Sequence, residues 1–200
     1  MSGADVTLIL ASTSPFRREL LERLQLDFET AAPRIDETRL PGEPPAQLVQ
    51  RLARLKAEAV AAEVPGPALV IGSDQCAVLG DRILGKPRTH ANAFTQLRAS
   101  SGHTVVFHTG LCLLDTRTGE ASVDDMVFEV GFRQLSDAEI EAYLRKEEPY
   151  NCAGSFKSEA LGVALFRYMR GDDPSALIGL PLIRLLEMLR QAGINPLAPH

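Results

Sequence analysis

Apolar positions along this chain switch between an unbroken or alternating pattern and a helical one, and the order of those switches predicts an α/β protein. Residues 6–11 (VTLILA) and 68–71 (ALVI) are apolar runs too short for stable helices, so each reads as a buried strand. After the first run, Ser14 as N-cap and Pro15 at the first helical position start a helix carrying Phe16, Leu20, Leu21 and Leu24 at helical spacing. A second helix is predicted over 45–63, with Leu48, Leu52, Leu55 and Ala59 on one arc and Lys56 projecting inside it. Thr89 caps a third helix through Ala93, Phe94 and Leu97. Residues 104–115 and 122–133 read as paired strands around a turn at Thr118 and Gly119, the second with Phe128, Val130 and Phe132 on a packed face. Ser136 and Glu139 form a capping box for a helix ending near Lys146, and Pro181 opens a last amphipathic helix through Leu182, Leu185, Leu186 and Leu189.

The breaks between these elements hold the chemistry. The run at 68–71 is expected to end at Gly72, leaving Asp74 just past a buried strand, where ligands bind in open α/β sheets. Lys86 follows across a hairpin-like segment. Residues 27–47 form a long, proline-rich connection of the kind that builds a site, and its adjacent acids Asp36 and Glu37 are either metal ligands or solvated. Residues 151–162 (NCAGSFKSEALG) are too polar for a core strand and read as a second site-forming segment, with Lys157 and Glu159 as candidates. Residues 171–174 (GDDP) read as a turn. No repeat or linker divides the chain, so a single domain over 1–200 is expected.

A net charge of -5 excludes a broad surface for nucleic acid polymers but leaves room for a local basic pocket. Three dispersed cysteines with no C-x-x-C pair point to reduced thiols and a cytoplasmic protein. The first ten residues carry no basic leader, and no stretch reaches the length of a membrane span. Four histidines, none at the spacing of a zinc helix, leave hard cations on carboxylate and phosphate oxygens as the metals to consider.

Arg17 and Arg18 in the first turn of a helix oppose its dipole, an arrangement that suits a bound anion. The segment GDRILGKP nearly matches the phosphate loop of ATPases, but Pro87 replaces the hydroxyl that would bind magnesium, which excludes that motif. What remains is a set of basic groups (Arg17, Lys56, Lys86), acids (Glu37, Asp74) and an aromatic (Phe16) at loop or element ends. Cations that grip a polyphosphate, acids that hold a metal and a carboxylate that deprotonates water together make phosphoanhydride hydrolysis the indicated chemistry.

The segments LILASTSPFRRELL, IDE, GSDQ, GKP, SGHTVVFHTGL and CAGSFKSEALG follow in order over nearly the whole chain, and here the sequence resembles the Maf family of nucleoside triphosphate pyrophosphatases. The resemblance implies an α/β fold like that of inosine triphosphate pyrophosphatases: an elongated mixed sheet with two lobes around a central cleft, often in a homodimer. It implies cleavage between the α and β phosphates with Mg²⁺ or Mn²⁺, giving a nucleoside monophosphate and pyrophosphate. On that resemblance Asp74 is the proton acceptor, Ser12, Arg17, Lys56 and Lys86 are phosphate-binding positions, and Glu37 with Asp74 would hold the metal.

Family members acting on dTTP and UTP carry a basic residue, a threonine and a glutamine where this chain has Phe16, Gln75 and Glu159. These departures resemble the subgroup that hydrolyses 7-methyl-GTP, although the resemblance pairs that subgroup with tryptophan at the position of Phe16. A cationic 7-methylguanine stacked on an aromatic ring would gain about 0.5 to 2 kcal/mol. The rivals are a dTTP/UTP pyrophosphatase of the same fold and a nucleotide-binding regulator of septum formation without turnover.

Overall fold

The computed structural model describes residues 6–198. The first five residues, part of the stretch read above as lacking a leader, lie outside the described residues. The elements are β1 (Thr7–Ala11), α1 (Pro15–Glu22), β2 (Glu29–Ala31), α2 (Pro45–Ala61), β3 (Ala68–Leu79), β4 (Arg82–Leu84) and α3 (His90–Ser100). They continue with β5 (Thr104–Asp115), β6 (Ala121–Phe132), α4 (Asp137–Glu147), two short 3₁₀ turns, β7 (Phe166–Arg170), α5 (Pro174–Ile178) and α6 (Leu182–Gln191).

One mixed sheet runs in the order β2-β1-β3-β5-β6-β7, with β4 folded back on β3. β1 pairs in parallel with β2 and β3, whereas β3, β5, β6 and β7 are antiparallel. β3, β5 and β6 are each 12 residues long, roughly 40 Å of strand, which makes the sheet elongated as expected. Three apolar clusters sit along it. Ala53, Ala57 and Val60 of α2 pack on Ile9, Val70 and Cys112 on one face. On the other face Leu20, Leu21, Leu185 and Leu189 cover Leu10, Ile71 and Leu111, and further along Leu97, Ile140 and Leu144 cover Phe107, Val130 and Phe132.

The strand predicted to stop at Gly72 in fact continues to Leu79, so Asp74 lies in mid-strand. Antiparallel pairing with β5 from Leu69 to Leu79 supplies hydrogen-bond partners through the polar GSDQ stretch and overrides its local turn signals. What ends near Asp74 is the neighbouring strand: β1 pairs β3 only as far as Gly72, and β4 pairs it only from Ala77. Residues 73–76 therefore have one edge without a strand partner, and the cleft opens there. Residues 27–47, expected as loop, include the short strand β2. The GDDP segment leads into α5, with Asp173 as its N-cap and Pro174 as its first residue.

Glycines let α2 approach the sheet. A Cβ on Gly72 would stand 2.0 Å from the Ala53 carbonyl oxygen, and one on Gly110 would stand 2.1 Å from that of Val49. This close approach brings Lys56 of α2 down onto the face of β3 that carries Asp74.

Candidate active site

Lys56 Nζ donates to Asp74 Oδ1 at 2.6 Å and pairs with Glu37 Oε1 at 2.7 Å. Side-chain exposure separates the two acids. Lys56 is 7% and Asp74 14% exposed, a nearly desolvated pair on facing elements, while Glu37 is 61% exposed on its loop. The sequence placed Lys56 on the apolar side of its helix; it is buried because its charge is matched, not because it reaches out to water.

A cleft of about 920 Å³ opens over this pair and is lined by Ser12, Arg17, Glu37, Lys56, Asp74 and Lys86, the phosphate and metal candidates together. Ser12 is buried, and its Oγ accepts the Ser14 N–H at 3.1 Å, while Ser14 Oγ caps α1 by accepting the Arg17 N–H. Arg17 turns inward and its Nε donates to the Gly179 carbonyl at 2.8 Å. Arg18, its partner in the sequence argument, points away and pairs with Glu22 on the exposed side of the helix. Of the adjacent acids only Glu37 enters the cleft; Asp36 holds Thr38 instead. Lys157 lines the cleft but its Nζ is engaged by the Glu147 carbonyl at 2.8 Å.

A recess of about 40 Å³ adjoins the cleft, walled by Phe16, Gln75 and Glu159 with Phe107, Phe156 and Leu177 among its other sides. The three residues proposed to read the base thus share one small chamber, although they come from three distant segments. Phe16 is half-buried there, while Leu20 one turn on is fully buried in the core.

Arg88, which the sequence reading passed over, lines the cleft beside Lys86. It holds a left-handed backbone (φ 65°), and its N–H donates to the Tyr150 carbonyl at 2.9 Å. The signal available was the basic run GKPR, which continues past the lysine.

The electrostatics follow from this crowding. Burial alone would raise the Glu37 carboxyl, but the Lys56 hydrogen bond and charge, with Lys86 and Arg17, outweigh it and hold the group below its usual range. Desolvation and then the charges of Arg88 and Arg17 lower the Lys86 ammonium. Burial likewise lowers the Arg17 guanidinium, opposed by Asp74 and Glu37. Among the described residues no group of three or more His, Cys, Asp or Glu converges as a protein-only metal cage. Two convergent carboxylates, Glu37 and Asp74, nevertheless fit a Mg²⁺ or Mn²⁺ that takes the rest of its oxygens from phosphate and water.

The HAM1 protein of Coxiella burnetii superposes with a TM-score of 0.50 at 18% identity, covering 93% of this chain and 99% of that one, and so shares its fold. A protein of Nitrosococcus oceani named 7-methyl-GTP pyrophosphatase is 61% identical, covering 96% of both chains. One of the same name from Cupriavidus metallidurans is 60% identical, covering 93% of both. The family profile described as Maf-like protein matches residues 7–192, nearly the whole of the sheet and both walls of the cleft, and the chain belongs to the Maf family.

Proposed function

We propose that this chain hydrolyses the α-β phosphoanhydride of 7-methyl-GTP, releasing 7-methyl-GMP and pyrophosphate. The observation that carries the reading is the Lys56 clamp at the floor of the cleft, which holds Asp74 at 2.6 Å and leaves its second oxygen to act. Asp74 Oδ2 takes a proton from the attacking water, and the ammonium of Lys56 keeps the carboxyl oriented through the transfer. Arg17 and Lys86 stabilise the negative charge that develops on the leaving pyrophosphate, and Ser12 with the α1 N-terminus receives a phosphate oxygen. A bound divalent cation, held by Glu37 and Asp74, would supply further neutralisation of the phosphates.

The name carried by relatives at 61% and 60% identity supports the choice of base, as does the chamber shared by Phe16, Gln75 and Glu159. A cationic ring gains from an aromatic face and a carboxylate, where a basic residue at position 16 would repel it. The proposal extends to one catalytic unit spanning the chain, acting in the cytoplasm as a homodimer. Among the described residues no helix is long and apolar enough to cross a membrane.

The test is a panel of normal and methylated nucleoside triphosphates with Mg²⁺ or Mn²⁺, monitored for monophosphate and pyrophosphate together. Release of both from 7-methyl-GTP, and loss of that release in Asp74→Asn assayed folded, well below its own Tm, is the expected result. Orthophosphate in place of pyrophosphate, or a fully active Asp74→Asn, overturns the assignment.

A further inference from the structure

Ser73 and Thr109 are hydroxyls with no exposed surface and no part in the chemistry above, yet both reach the same place. Ser73 Oγ lies 2.9 Å from the Gly179 carbonyl oxygen and 2.9 Å from that of Gly110, and Thr109 Oγ1 donates to the Ala176 carbonyl at 2.9 Å. Two cleft residues converge on these carbonyls from other elements. Arg17 Nε donates to Gly179 at 2.8 Å, and Gln75 Nε2 donates to Ala176 at 2.8 Å and to Leu177 at 3.0 Å. The last carbonyls of a helix lack partners within it, and here side chains from α1, β3 and β5 supply them.

We propose that the carbonyl end of α5 is a positioning post that sets Arg17 and Gln75 together, so that one element aims both phosphate grip and base recognition; this rests on the reading of the cleft given above. With Nε committed to Gly179, the terminal nitrogens of Arg17 are the donors left for a phosphate. Gln75 Nε2 is surrounded by three acceptors, the third being Thr109 Oγ1 at 3.0 Å. Turning the amide over would set its oxygen against two carbonyls, so Oε1 is the atom left to face a ligand. An acceptor there suits the N1–H and N2–H₂ edge of guanine and disfavours adenine, which offers the N1 acceptor. Gly179 itself stands at φ 129°, a conformation that glycine alone adopts without strain, and its carbonyl direction depends on it.

The variant that moves the post while keeping every cleft side chain is Gly179→Ala. Its Cβ would meet Arg17 only at ordinary contact distance, 3.5 Å, so the backbone conformation is what changes. We expect kcat/KM for 7-methyl-GTP to fall about 10-fold, and the fall to shrink to the part carried by Gln75 when Gly179→Ala is made in an Arg17→Ala background. The α,β-methylene analogues of GTP and ATP report base choice by Kd without turnover. Wild type is expected to favour the guanosine analogue, and Gly179→Ala to narrow that ratio. A merely structural role would lower Tm while leaving the ratio unmoved. Ser73→Ala, which keeps the glycine and removes one bond to its carbonyl, is the second variant should Gly179→Ala not fold, with a smaller effect of the same sign. Losses additive with Arg17→Ala, or an unchanged guanosine-to-adenosine ratio, overturn the post. If wild type releases no pyrophosphate, the proposed reaction fails, while the analogue affinities and their coupling to Arg17 still decide the post.

Discussion

Gly72→Ala tests whether the approach of α2 sets the Lys56–Asp74 pair of the candidate site. The new Cβ would stand 2.0 Å from the Ala53 carbonyl oxygen and 3.0 Å from the Ala57 nitrogen, both backbone atoms of α2 that no rotamer change can move. Carbon and carbonyl oxygen in contact sit roughly 3.3 Å apart, so the helix has to retreat by about 1 Å. Overpacking costs about 1 to 3 kcal/mol, and a backbone obstacle belongs at the upper end. At about 3 kcal/mol, a chain of this size loses roughly 6 to 12 °C in Tm. The same retreat carries Lys56 away from Asp74 and opens a contact now at 2.6 Å. Misplacing a catalytic group by 1 Å costs on the order of 100-fold in rate. Differential scanning calorimetry and pyrophosphate release from 7-methyl-GTP, assayed well below the lowered Tm, measure the two effects. Gly66→Ala is the control, since nothing lies within 4 Å of its Cβ. A Gly72→Ala protein with wild-type Tm and wild-type kcat/KM refutes the reasoning.

Three further outcomes are expected. In wild type Glu37 is held below its usual range, so it stays ionised until the pH falls through that lowered value; Lys56→Met removes the chief cause and moves the acid limb of residual kcat/KM to higher pH, and an unmoved limb contradicts the assignment. Glu43, bonded by Arg51 at 2.6 Å, is held at about 2, so its contribution to stability is complete above the unfolded-state value of about 4.3 and is lost as the pH falls toward 2. Glu43→Gln should therefore lower Tm at neutral pH, with a gap to wild type that narrows across that window; a gap independent of pH counts against the pairing. Phe16→Arg combined with Gln75→Thr should shift preference toward pyrimidine triphosphates, and an unchanged rank order of kcat/KM shows that these positions do not set specificity.

The elements with strong local signals were legible: Ser14 with Pro15, the box of Ser136 and Glu139, and Thr89 all cap helices as read. Elements held by pairing or docking were not. β2 is three residues of an otherwise irregular loop, recognisable only beside β1, and α5 is five residues whose carbonyl end is satisfied by side chains far away in sequence. The run at 68–71 reads locally as ending at Gly72 because Gly, Ser and Asp are turn formers and Gln is polar, while an entire facing strand stabilises them as extended chain.

The sequence by itself determined the helix caps, the apolar faces, the α/β class and the residue types for polyphosphate chemistry, because these depend on periodicity and on chemistry carried by each side chain. It also carried the family motifs. Tertiary structure decided which of those side chains meet. Arg17 enters the cleft and Arg18 does not, Glu37 enters and Asp36 does not, and neighbours in sequence cannot be separated until the direction of each backbone is fixed. Lys56 could have been a surface lysine on an apolar face. It became the partner of Asp74 because two glycines on adjacent strands let a helix sit close enough to bury its charge against a carboxylate.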